Sequence, residues 1–408
     1  MSTAPTKLWN KNFLLFVAGM EFSLIANTLI AFIIPLYVLN ETGSPVLMGT
    51  VLTLSLIPLI VFSPIGGIAA DRFRKNRLLA LMNFATAIAI VIYFGISNVM
   101  ATIPAAVVFM LLLSTFESMI RPATDASVPV LVPTNDLVKA NSVTWILSIF
   151  STVGAPILGG FILAHFGLSV ALYMGIALYA IATVIKIMVK IPYTKQEMTE
   201  SVSKTIKSDI KDSIRFVTKE NIEIGKTLLI TVLVGMFLLP LTTVALPVLI
   251  STYLDMGDVT VGVMRGVAMF GGTVGILLLG VIGEKANIRL SRPLFLMSGI
   301  AISLAGLGVI LSTNTMITLV VSVASIFIVM VFLTMYAVIA SAFMGEKIPE
   351  HLIGKVFALD AAIMGLAMAA GNYMFGFLLS RFFDTPGIAL LIIAGLTTVF
   401  SVFIRFKK

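Results

Sequence analysis

Apolar runs long enough to cross a bilayer recur along the whole chain, and no other feature narrows its fold as much. An α-helix needs about 20 residues at 1.5 Å rise to span the hydrocarbon layer. Twelve such runs are read at about 13–38, 46–70, 78–97, 103–121, 138–164, 168–189, 226–252, 260–282, 291–312, 316–344, 354–379 and 388–404. Hydrophobic residues make up 59% of the 408 and charged residues only 11%, whereas a soluble domain holds about 45–50% and 25%. No globular core absorbs that excess, so the expectation is an all-α polytopic membrane protein.

Lys7 and Lys11 precede a first run longer than a secretory signal core, so that run is expected to persist as span 1. Every Lys and Arg except Arg265 and Arg381 falls at one side if the spans alternate from a cytoplasmic N-terminus. The positive-inside rule then orients both termini to the cytoplasm, in a bacterial plasma membrane. The net charge of +8 reads as contact with anionic lipid and asks for no nucleic acid. There is no cysteine, which excludes disulfides and thiolate chemistry.

The one long polar stretch, residues 191–224, divides the chain. Met198, Val202, Ile206, Ile210, Ile214 and Val217 recur there at helical spacing, which predicts an amphipathic helix on the membrane surface. The domains read as 1–190 and 225–408, each a six-helix bundle, joined by this linker. The halves carry related motifs. Gly66-Gly67 and Asp71-Arg72, followed by Arg74, Lys75 and Arg77, sit between spans 2 and 3, and Gly280 and Glu284-Lys285 echo them between spans 8 and 9. Pro133 after span 4 has a counterpart in Pro349 after span 10. A duplication of this kind places substrate between the halves and makes rocking of one on the other the transport motion.

These features resemble the major facilitator superfamily. Gly67, Asp71 and Arg72 match its motif A, with Lys75 and Asn76 in place of Arg and Lys, and Arg74 where many members have Gly. Ala155-Pro156 with Gly159-Gly160 is similar to the antiporter signature of span 5, with Ala replacing its first Gly. Asn12-Phe13, Ser23-Leu24, Pro35, Tyr37, Gly49, Pro58, Pro64 and Gly354-Lys355-Val-Phe357 sharpen the resemblance to the third drug:proton antiporter family. That family includes macrolide efflux proteins and some siderophore exporters. The resemblance is stronger in the first half of the chain, and it implies a multidrug exporter that exchanges protons for amphipathic compounds.

Intramembrane acids are the first candidates for coupling. Glu21 lies about 12 Å into span 1 at the helical rise, and Glu117 and Asp360 lie roughly 6–10 Å into spans 4 and 11. The resemblance implies that spans 1 and 4 line the central cavity. A carboxylate in that low-dielectric layer must be protonated, paired or bound to a cation, so proton and cationic cargo can compete for it. Glu117 can equally pair with Arg121 one turn on. The superfamily's span-4 arginine is replaced by Leu113, and an acid common in span 1 by Asn27, so the family's coupling scheme does not carry over unchanged. Asn27, Thr28, Asn141, Trp145 and Tyr336 are candidate cavity residues, and 22 Met and 28 Phe offer an adaptable lining.

The loop is expected to work as a gate. Asp71 would meet the positive N-terminal end of span 11. Arg72, Lys75 and Arg77 would pair with acids at neighbouring span ends, Asp125 foremost, with Arg121 available to the same network. Arg265 reads as a structural partner of Asp255 or Asp258. No nucleotide-binding loop, paired metal-ligand spacing or nucleophile–base pair is present, so neither an enzyme nor an ATP-driven pump is expected and no cofactor is implied. The expected partners are a small amphipathic substrate, protons and membrane lipid, with the chain acting as a monomer. A lipid or lysolipid translocator, or a siderophore exporter, on the same fold is the alternative.

Overall fold

The computed structural model describes residues 8–96, 101–192, 211–283, 286–403 and 406. Among them, eleven helices are long and apolar enough to cross a membrane. In chain order they are α1 (Lys11–Thr42), α2 (Pro45–Arg72), α3 (Lys75–Ile96), α4 (Thr102–Asp125), α5 (Leu137–Met188), α6 (Ile222–Leu233 and its continuation), α7 (Asp258–Ile282), α8 (Ser291–Leu311), α9 (Thr315–Lys347), α10 (Glu350–Arg381) and α11 (Pro386–Phe403). The chain is therefore an all-helical, multi-pass integral membrane protein. Helices are the natural outcome, since each run must satisfy its backbone polar groups internally once water is gone.

Two expected spans fall in α5. That element is broken at Gly167, whose φ of 75° and ψ of −179° are non-helical. A side chain would be strained at that φ, so glycine is what lets the chain turn there. The runs read at 138–164 and 168–189 lie on its two limbs.

Asparagine side chains start several helices. Asn10 Oδ1 accepts from the Phe13 amide at 2.9 Å ahead of α1, and its Nδ2 donates to the Leu131 carbonyl at 2.8 Å. Asn221 caps α6, and Asn314 caps α9 by accepting from Met316 and Ile317. Each satisfies amides that the first helical turn leaves open.

The segment after α6 departs from ordinary helix. Val234–Leu238, Leu241–Ala245 and Val248–Tyr253 are π-helical. Pro240 and Pro247 stand between them and lack the amides an α-helical ladder requires. Wide turns of this kind are rare and gather at functional segments. Their missing amides interrupt the α-helical ladder without specifying a run of π turns.

The helices form two compact units: Met1–Val38 with Leu54–Thr199, and Leu39–Thr53 with Glu200–Lys408. In the first, a core of Phe13, Phe16, Ala70, Leu79, Ile120, Ala123, Leu131 and Val189 closes the end where α1 and α3 begin. In the second, residues 39–53 pack tightly on α10. A Cβ on Gly49 would stand 2.5 Å from the Asn372 carbonyl, and one on Gly376 would stand 2.6 Å from that of Pro45. Thr53 Oγ1 also donates to the Ala369 carbonyl at 2.8 Å.

Most of the expected amphipathic linker, including Met198, Val202, Ile206 and Ile210, lies outside the described residues. Its final part is helical from 211, and Phe216 and Val217 pack against Met344, Ile348, Leu352 and Val356 in the second unit. Lys355 Nζ donates to Asp212 Oδ2 at 3.2 Å beside that core. Ile214 faces outward at 47% exposure.

Candidate transport site

Glu21 points from α1 toward the first limb of α5. Ser151 Oγ donates to its Oε2, while Oε1 is buried and has no hydrogen-bond partner among the described residues. Ser151 is itself buried at 3% exposure. Leaving a carboxylate oxygen dry and unpaired costs several kcal/mol in a low-dielectric interior, of order 2–7 even for neutral polar groups. Such an oxygen needs a proton, a water or a bound cation to supply what the protein does not. Nearby on the same limb, Ser148 Oγ donates to the Thr144 carbonyl and Thr144 Oγ1 to that of Asn141. Those hydroxyls are satisfied within their own helix.

Glu117 sits in α4 with two cations acting on it, Lys186 and Arg121. Arg121 is exposed and also acts on Asp125, one turn further on. Lys186, on the second limb of α5, was counted by its position among the orienting basic residues. It is instead 1% exposed. Its Nζ donates to Ser23 Oγ at 2.9 Å, and Ser23 in turn faces the Gly19 carbonyl at 2.9 Å and Asn83 Oδ1 at 3.2 Å. Tyr179 and Thr183 share its buried helical face.

Sequence reading missed Lys186, Ser23, Asn83 and Ser151 as site residues. The available signal was a lysine inside the apolar run Ile185-Lys186-Ile187-Met188. A lysine near a span end ordinarily reaches its head back to water, which makes the topological interpretation the natural one.

In the second unit Asp360 accepts from Thr231 Oγ1 at 2.7 Å. Tyr336 donates to the Thr227 carbonyl at 3.3 Å and packs edge-on to Phe295 with centroids 5.0 Å apart, leaving it 3% exposed. Asn372 is fully buried; Thr243 donates to its Oδ1 at 2.8 Å, and its Nδ2 has no partner among the described residues. Asn40 links two elements of the same unit. Its Nδ2 donates to Asp258 Oδ1 at 2.8 Å, and Ser251 Oγ donates to its Oδ1 at 3.0 Å.

The remaining candidates are dispersed. Asn27 and Thr28 are half-buried along α1, while Asn141 and Trp145 are exposed on α5. In the gate region Arg72 and Arg77 are exposed and Lys75 half-buried. The Asp71 side chain lies outside the described residues, as do Glu284 and Lys285. The two glycines of the loop play different parts. A Cβ on Gly66 would stand 2.3 Å from the Ser118 carbonyl of α4, whereas one on Gly67 meets open space. Close packing of α2 on α4 therefore depends on Gly66.

Comparison with known proteins agrees with this architecture. The family model described as "Major Facilitator Superfamily" matches residues 13–372. Macrolide efflux protein A of Streptococcus pyogenes is 24% identical over 370 residues, covering 89% of this chain and 88% of that protein. Macrolide efflux protein A of Enterococcus faecalis is 24% identical over 336 residues, covering 79% and 100%. Among solved structures, an inward-facing bacterial homologue of the iron transporter ferroportin superposes with a TM-score of 0.74 at 16% identity, covering 96% of this chain and 98% of that one. A D-xylose–proton symporter superposes with a TM-score of 0.73 at 15% identity, covering 96% of both chains. With its helical runs, its loop motif and its family match in agreement, this chain belongs to the major facilitator superfamily.

Proposed function

We propose that this transporter exports amphipathic, cationic small molecules by proton antiport and alternating access. In this reading the chain makes twelve crossings, with the break at Gly167 as the turn between the fifth and sixth. Both termini are cytoplasmic, and the halves 1–190 and 225–408 move about the linker. The observation that carries the proposal is Glu21, with one oxygen held by Ser151 and the other buried and without a hydrogen-bond partner among the described residues. A carboxylate so placed binds one cation or one proton, and that competition is the minimal requirement for exchange. Asp360 with Thr231 offers a second protonatable position in the other unit. The curated relatives named for macrolide efflux support drug export. The loop containing Gly67, Asp71, Arg72, Lys75 and Arg77, with Arg121 and Asp125 nearby, serves as the gate.

The decisive assay is transport in proteoliposomes under an imposed pH gradient. Wild type is expected to move a monocationic amphiphile against its gradient when protons flow inward, and Glu21→Gln is expected to abolish proton-driven accumulation. Undiminished accumulation by Glu21→Gln would remove Glu21 from the mechanism. Headgroup-selective lipid movement without drug transport would favour the lipid translocator instead.

A further inference from the structure

We infer that Lys186 is a positioning residue for Glu21: by holding Ser23 it fixes the rotation of α1 that aims the Glu21 carboxylate at Ser151. This rests on the export reading above and deepens it, because it names what keeps the proposed cargo-binding acid in place.

α1 runs between the two limbs of α5 and shows each of them a different face. Gly19, Ser23 and Ile30 fall within about 40° of one another at 100° per residue, and all three meet the second limb. A Cβ on Gly19 would stand 3.1 Å from Ile185 Cγ2 and 3.2 Å from Lys186 Cγ, and one on Gly175 would stand 2.8 Å from Ile30 Cδ1. Lys186 Nζ donates to Ser23 Oγ at 2.9 Å. Glu21 and Phe32 lie on the opposite side, within about 20° of each other by the same spacing, and meet the first limb. Ser151 donates to Glu21, and a Cβ on Gly159 would stand 3.0 Å from Phe32 Cδ1.

The apolar contacts on both faces keep α1 between the limbs, yet such burial is non-directional and lets a helix roll in place. Hydrogen bonds are directional and resist the roll. A roll of about 20° would carry a side-chain end about 5–6 Å from the helix axis through about 2 Å. That is enough to take Glu21 out of reach of Ser151. The Ser151 bond cannot guard against the roll by itself, because proton and cargo compete for the same carboxylate. The bond on the far face can. Lys186 packs its stem in the groove at Gly19 while its head stays on Ser23. At 1% exposure that head has not reached back to water, as a lysine serving only to orient the chain would. Ser23 is itself buried and faces Asn83 Oδ1 of α3 at 3.2 Å, so the anchor joins three helices.

Initial rates of ethidium transport would be measured in proteoliposomes under a pH gradient, over a range of dye concentrations. Ser23→Ala and Lys186→Met are each expected to raise KM about tenfold with little change in kcat, the factor that one lost hydrogen bond to a charged group gives. Ser151→Ala should do the same, and the double variant Ser23→Ala/Ser151→Ala should be no worse than either single, since both changes break one arrangement. Ser23→Thr restores the hydroxyl and should recover the wild-type KM. KM effects that multiply in the double variant would make the two bonds independent and overturn the inference. So would a loss of kcat at unchanged KM, which is what a merely structural role gives. A shift in Lys186→Met with Ser23→Ala at the wild-type KM would assign the effect to the lysine's charge and likewise overturn it. Should Lys186→Met fail to accumulate in the membrane, Ser23→Ala decides alone, since it changes no charge. Any of these overturning patterns alongside normal wild-type transport would leave the export reading intact. Wild-type protein that moves no ethidium would overturn both.

Discussion

Thr231 Oγ1 donates to Asp360 Oδ1 at 2.7 Å, tying the last α-helical turns of α6 to α10 immediately before the chain enters its π-helical run. The bond fixes an acidic side chain that the sequence places inside a span of the second unit. Hydrogen bonds to charged groups contribute about 1.5–3 kcal/mol. Thr231→Val is therefore expected to destabilise the protein by roughly that amount if Asp360 is ionised. A double-mutant cycle with Asp360→Asn should show non-additivity of at least about 0.5 kcal/mol. Additive losses in thermal unfolding of the purified protein would mean that the bond contributes nothing.

The loop glycines should separate in a simple stability series. Gly66→Ala forces a Cβ against the Ser118 carbonyl and is expected to cost about 1–3 kcal/mol through displaced backbone. Gly67→Ala meets no such atom and should change stability by less than about 0.5 kcal/mol. Equal melting temperatures for the two variants would refute the assigned packing.

Asp212 and Lys355 form an ion pair that is partly exposed on both sides. Such pairs contribute about 0–1 kcal/mol and weaken with salt. Asp212→Asn should therefore cost little, and its effect should fade in 1 M salt, where the screening length is about 3 Å. Val217→Asp, in contrast, buries a charge among Met344, Leu352 and Val356 and should lower the melting temperature at any ionic strength. A large, salt-insensitive loss for Asp212→Asn would reverse this ranking.

Asn40 bonds both Ser251 and Asp258 in the second unit. Asn40→Ala removes both partners in one step and should speed amide hydrogen exchange in 248–258 without affecting the Phe13–Ala123 core of the first unit. Unchanged exchange at 248–258 would show that the contact does not hold that segment.

Ser151→Ala removes the hydroxyl that donates to Glu21. The ionised carboxylate loses that support, so half-maximal export is expected to need a higher cargo concentration and the pH profile to move to higher pH than in wild type, with the direction of transport unchanged. A pH profile identical to wild type would mean that Ser151 does not tune the competition at Glu21.

Sequence alone determined the class of this protein and most of its helices. Twenty-residue apolar runs leave a bilayer-embedded chain no other way to satisfy its backbone, so composition and periodicity suffice for that inference. The Gly-rich, basic loop after the second run, together with the repeated spans and the span-5 signature, pointed to the superfamily. What only tertiary structure decided concerns partners brought together across long sequence separations. Lys186 looked like a span-end basic residue until folding buried it against Ser23, which is itself bonded to Asn83. Gly66 and Gly67 are indistinguishable as letters, yet only Gly66 meets the backbone of α4. The π-helical course after α6 was equally hidden, because proline reveals where a ladder breaks but not how the chain rebuilds it. Helices are local and follow from composition, whereas the environment of a buried charge depends on which helices fold around it.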